Sequence, residues 1–150
     1  MYAVVTGGGT SGHVIPAIAI CELLTEAGHQ VSDIRYVGSR RGVERDLMKS
    51  TQIESEYLPI SGLQRSWSFQ GMSRNVLLPW RLLRSRVLAR GLLKLWNPSV
   101  VVSVGGYGSL APMQAAKKLG IQRVVVSYDS QPGLATKRQA RDAHLVTKSH

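Results

Sequence analysis

The chain holds a single cysteine, Cys21, and a single phenylalanine, Phe69, among 150 residues. One thiol makes no internal disulfide, which argues against a stapled secreted scaffold, and beside four scattered histidines it makes no metal-ligand cluster. Acidic residues are also scarce: nine Asp and Glu stand against nineteen Lys and Arg, a net charge of +10. From Tyr57 to Tyr128 there is no acidic residue at all. Such an excess predicts an anionic partner: nucleic acid, acidic lipid or a phosphorylated substrate. No stretch approaches the roughly 18 consecutive apolar residues that would span a bilayer, and the N-terminus enters an apolar run without the basic region of a signal peptide. The expectation is a cytoplasmic protein, soluble or peripheral to a membrane.

What is present suits one globular domain, since 43% hydrophobic and 19% charged residues can build a core. Tyr2 to Thr6 reads as a buried strand that ends in Gly7-Gly8-Gly9-Thr10-Ser11-Gly12. A helix is predicted over 13–27, with Pro16 in its first turn and Gly28 closing it. A strand over 30–37, a short helix over 43–49 and a strand over 53–59 follow. A long amphipathic helix is predicted over 75–96, possible to kink at Pro79 and stopped before Pro98. A strand over 99–104 runs into a second glycine turn, Gly105-Gly106-Tyr107-Gly108-Ser109. A helix over 113–119, a strand over 122–128, a helix over 134–142 and a strand from 143 to 147 complete the chain. Strands that alternate with helices and are themselves continuous Val and Ile runs predict an α/β fold, a doubly wound parallel sheet covered on both faces. Ligands of such sheets sit beyond the carboxyl ends of the strands, where these glycine turns fall.

Gly7, Gly9 and Gly12 satisfy the G-x-G-x-x-G spacing between a strand and a helix. The physics requires only a tight turn, a backbone without Cβ in the way and N–H groups at a positive helix end, so any diphosphate can use it. An NAD site would also place an acidic residue at the end of the second strand. Here Ser39, Arg40 and Arg41 stand there, which suits NADP better and leaves an NADP-binding oxidoreductase domain as one reading. His13, in the first turn of the helix, is placed to accept or relay a proton or to hydrogen-bond a substrate.

The run Gly8-Gly9-Thr10-Ser11-Gly12-His13-Val14-Ile15-Pro16-Ala17 resembles the first glycine loop of the MurG family, bacterial enzymes that transfer N-acetylglucosamine from UDP-GlcNAc to a muramyl-pentapeptide on undecaprenyl diphosphate. The family form has glycine where this chain has Ser11. Val43-Glu44-Arg45-Asp46-Leu47 is similar to the family's acidic helix after strand two, Ile60-Ser61-Gly62-Leu63 to its acceptor-side loop, and Gly105-Gly106-Tyr107 to its second glycine loop. The resemblance implies a Rossmann-like acceptor domain over 1–150, the N-terminal half of a GT-B architecture, with the donor-binding half supplied by a further domain or a separate subunit. It implies His13 as the catalytic residue and Thr10, Ser11, Gly12, Gly105, Gly106, Tyr107 and Asp129 as substrate-binding residues, with no cofactor and no metal. One segment departs: aligned on Gly133-Leu134, Val126-Ser127-Tyr128-Asp129 stands where the family carries His-Glu-Gln-Asn.

The long helix carries Leu77, Leu78, Trp80, Leu82 and Leu83 among Arg81, Arg84, Arg86 and Arg90, more apolar surface than one buried stripe requires. Leu77, Trp80, Arg81, Leu83 and Arg84 are therefore expected to contact an anionic membrane surface, which the resemblance places at the cytoplasmic face of the cell membrane. No nucleic-acid motif or stacking platform accompanies the charge, so nucleic acid is not expected as a partner. A non-catalytic membrane-surface adaptor is the third reading.

Overall fold

The computed structural model describes residues 1–9, 11–40, 42–60, 76–127, 143 and 145–148. Six strands form one wholly parallel sheet: β1 (Ala3–Thr6), β2 (Ile34–Ser39), β3 (Glu54–Leu58), β4 (Val100–Ser103), β5 (Gln122–Ser127) and β6 (Leu145–Lys148), in the order β3-β2-β1-β4-β5-β6. The order reverses between β1 and β4, the switch point at which doubly wound sheets open a crevice. Strand β1 pairs with both neighbours in matched register, Thr6 lying beside Val37 of β2 and Ser103 of β4. The Thr6 hydroxyl, fully buried, donates to the Val37 carbonyl at 2.7 Å and fixes the strand end from which the first glycine turn departs.

Alternate residues of the central strands feed two separate cores. Val4, Val37, Val101 and Val125 pack on one face with Ala89 and Leu93 of α3 (Leu78–Trp96) and with Ala111, Ala115 and Ala116 of α4 (Leu110–Leu119). Val5, Ile34, Tyr36 and Val102 pack on the other with Val14, Ala17 and Cys21 of α1 (Ser11–Glu26) and with Met48 of α2 (Glu44–Lys49). Burial on both faces is why β1, β4 and β5 carry consecutive valines rather than an alternating pattern. Cys21 belongs to this packing: burial pushes its thiol up to about 12, so it stays protonated and behaves as a small apolar side chain.

Helix boundaries differ from expectation where prolines sit. Helix α1 begins at Ser11, two residues early, so Pro16 lies beyond the first turn and removes the bond that its N–H would have made to the Gly12 carbonyl. Helix α4 begins at Leu110 rather than 113, because Pro112 falls at its third position, where no intrahelical donor is needed. Pro79 is in the first turn of α3 and imposes no kink inside it. Residues 31–33 form a 3-10 turn before β2 instead of its first residues. The helix expected over 134–142 lies outside the described residues. Among the described residues no helix is long and apolar enough to cross a membrane.

Candidate functional site

The two glycine turns meet at the carboxyl end of β1 and β4. A Cβ on Gly106, whose φ is +82°, would overlap the Gly8 carbonyl oxygen, and one on Gly108 would stand 2.6 Å from the Gly7 carbonyl oxygen. The second loop is glycine at these two positions because the first loop's backbone occupies the space a side chain would need. Gly105 is buried, and Gly106 meets protein backbone on its Cβ side.

A buried carboxylate holds the first loop in place. Glu44, the first residue of α2, is fully buried. Its Oε1 accepts the Gly9 N–H, and its Oε2 accepts the Ser39 N–H at 2.6 Å and faces the Tyr36 hydroxyl at 3.3 Å. That hydroxyl also lies 3.1 Å from the Gly7 carbonyl oxygen, to which it can donate. A Cβ at Gly8 or Gly38 would overlap the same carboxylate. Burial pushes the Glu44 carboxyl above its usual range, and the Gly9, Ser39 and Tyr36 donors offset part of that rise. Burial, then the neighbouring Glu44, pushes the Tyr36 hydroxyl up as well, so it remains a hydrogen-bond donor. An acidic residue on a charged helix gives no sign of this role in the sequence; the available signal is Tyr36, a polar-tipped ring between Ile34 and Val37 in β2.

This arrangement changes the expected use of the loop. The Gly9 N–H is already bonded to a carboxylate, so it does not serve an incoming phosphate, and a pyrophosphate would meet a like charge beneath it. A helix does not pair its own first N–H groups, so the start of α1 is the positive end that an anion would meet here. His13 is the third residue of α1 and half-buried, and Gly12 before it is exposed. Tyr107 is exposed at 42% on a 3-10 turn that follows the second loop. The carboxyl end of the sheet thus carries His13, Gly12 and Tyr107 together. Ser11 starts α1; Thr10, Arg41 and Asp129 lie outside the described residues. Ser39 is buried, its hydroxyl donating to the Ile60 carbonyl at 2.6 Å.

The outer side of α3 is different in kind. Its buried stripe is Ser85, Ala89 and Leu93, while Leu77, Trp80, Leu83 and Arg84 stand exposed, Trp80 at 66%. Arg81 parts from that set: it is half-buried and lines a cavity with Arg40, Pro59 and Ile60.

The sequence profile of the glycosyltransferase family 28 N-terminal domain matches residues 3–147. The chain belongs to this family. Family 28 membership leaves the oxidoreductase reading without support. The UDP-N-acetylglucosamine–N-acetylmuramyl-(pentapeptide) pyrophosphoryl-undecaprenol N-acetylglucosamine transferase of Desulforamulus reducens is 35% identical over 147 residues, covering 98% of this chain and 38% of the relative. The protein of the same name from Exiguobacterium sibiricum is 36% identical over 149 residues, 99% of this chain and 39% of the relative. The chain therefore spans about two fifths of the length of these curated relatives. In fold, the crystal structure of Acinetobacter baumannii MurG superposes with a TM-score of 0.82 at 24% identity, over 99% of this chain and 41% of that one. A Staphylococcus aureus MnaA-UDP co-structure superposes at 0.66 with 14% identity, over 97% of this chain and 38% of that one.

Proposed function

We propose that this chain is the acceptor-side half of an inverting hexosyltransferase that moves N-acetylglucosamine from UDP-GlcNAc to a muramyl-pentapeptide carried on undecaprenyl diphosphate, in peptidoglycan synthesis. The observation that carries this reading is His13 in the first turn of α1, beside a glycine loop immobilised by Glu44, at the switch point of a family 28 domain. The acceptor hydroxyl attacks the anomeric carbon, the new glycosidic bond forms as the bond to UDP breaks, the proton passes to His13, and UDP departs with the electron pair. Thr10, Ser11, Gly12, Tyr107 and Asp129 bind the acceptor on this reading, while the donor is held by a C-terminal domain or a separate subunit. Gly105 and Gly106 complete the substrate-binding set on this reading, and Gly106 also seats the first loop.

The exposed Leu77, Trp80, Leu83 and Arg84 support peripheral attachment to the cytoplasmic face of the membrane, where the lipid-borne acceptor resides. The test combines the chain with a family 28 donor-binding half and measures transfer of labelled N-acetylglucosamine to a lipid diphosphate acceptor. His13→Ala is expected to lower turnover about 10²- to 10⁴-fold with unchanged thermal stability. Transfer at the original rate removes His13 from the chemistry. Vesicle binding without transfer in any combination leaves the adaptor reading instead.

A further inference from the structure

Arg40 and Arg81 converge where β2 and β3 end. With Pro59 and Ile60 they line a cavity of about 210 Å³. Arg40 follows β2 directly; its N–H donates to the Leu58 carbonyl at 2.9 Å and its Nε to the Tyr57 carbonyl at 3.2 Å, which fixes the guanidinium against the edge of β3. Arg81 is in the first turns of α3, the positive end of that helix dipole. Its Nη1 is buried and has no hydrogen-bond partner among the described residues. Nor does either guanidinium have a carboxylate within ion-pair distance among them.

A buried guanidinium nitrogen without an acceptor, facing a second cation across an open cavity, is unfavourable in the empty protein. The imbalance is removed by a ligand with several anionic oxygens, because two planar forks match the oxygens of a diphosphate. The cavity also adjoins the loop clamp: Ile60 accepts from the Ser39 hydroxyl, and Ser39 donates its N–H to Glu44. The Gly9 amide is taken by that carboxylate, and besides the start of α1, the arginine pair is a further positive charge at the sheet's carboxyl end that no carboxylate among the described residues neutralises.

We infer that Arg40 and Arg81 form an oxyanion subsite for a diphosphate group. On the transferase reading above, on which only the ligand's identity rests, that group is the diphosphate joining the sugar acceptor to its lipid.

The first arm titrates the 150-residue chain with inorganic pyrophosphate, following arginine side-chain N–H signals by NMR and affinity by calorimetry. Arg81→Gln and Arg40→Gln are each expected to weaken binding about tenfold, with Arg81→Lys intermediate. Lys94→Gln and Lys118→Gln, which remove the same charge elsewhere, should change it less than about twofold. Should Arg81→Gln not fold, Arg40→Gln decides, since Arg40 is exposed. Equal binding in the arginine variants, or an equal loss in the lysine variants, overturns the subsite.

The second arm replaces pyrophosphate with farnesyl diphosphate or UDP. Competition for the arginines by the lipid diphosphate, and not by UDP, assigns the site to the acceptor; preference for UDP overturns that assignment. In the reconstituted transfer assay the same variants should raise the acceptor KM about tenfold. Transfer with an unchanged acceptor KM ends the subsite and leaves the transferase standing. Pyrophosphate binding at the arginines without any transfer does the reverse.

Discussion

The glycine-loop end of the sheet and the outer side of α3 solve opposite problems. At the loops, side chains are absent where backbones touch, and the buried Glu44 carboxylate is met by the Gly9 and Ser39 N–H groups and the Tyr36 hydroxyl. On α3, a serine is buried while Trp80, Leu83 and Leu95 face outward, Leu95 at 78% exposure. Burial of polar atoms is tolerated in the first region because each finds a partner. Exposure of apolar ones in the second is far more than folding requires, which points to something outside the chain. Residue type alone therefore does not tell where function sits; the partner count of each buried or exposed group does.

The sharpest way to test the contrast is to make one change in both places. Gly106→Ala forces a Cβ onto the Gly8 carbonyl at a positive φ and is expected to cost about 3–5 kcal/mol in urea denaturation. The smallest expected effect is its counterpart: Gly91→Ala in α3, where a Cβ meets nothing, should gain about 0.5–1 kcal/mol by the same measurement. Equal signs would mean that the loops are not in backbone contact.

Between these extremes lies Glu44→Gln. Its amide group would face an N–H donor, at a cost of about 1–3 kcal/mol near pH 4. Because the Glu44 carboxyl is raised, the folded chain binds the proton more tightly than the unfolded one; the stability it adds is full below the ordinary carboxyl range and drains as pH rises through the raised value. The difference between parent and variant should consequently shrink as pH rises above the ordinary carboxyl range. A difference that grows with pH would show that the hydrogen bonds outweigh burial. Next in size, Arg84→Gln should weaken binding to anionic vesicles about fivefold, roughly 1 kcal/mol, leaving thermal stability unchanged. Equal binding to neutral and anionic vesicles in cosedimentation would remove the charge from the α3 surface's role.

The strands were legible because a parallel sheet buried on both faces leaves unbroken β-branched runs, and the right-handed crossover rule then restricts their order. The family followed from His13 and Pro16 at fixed distances from the glycines, a pattern more specific than the glycines themselves. Helix starts were less legible: a proline permits a start just before it, as Pro112 does, but tolerates a position farther in, as Pro16 shows. Glu44 was hidden because an acidic residue on a charged helix looks solvated until Tyr36 and Ser39 are seen around it. The pairing of Arg40 with Arg81 was equally hidden, since long sequence separation conceals two cations that share a cavity.

The contact of Gly106 with Gly8 joins segments far apart along the chain. Such distant meetings form slowly and reward the chain only after the intervening loop has closed. Nascent or partly folded protein would accordingly lack the paired glycine loops altogether, so their ordering should appear in a single late kinetic phase, together with the β1–β4 pairing.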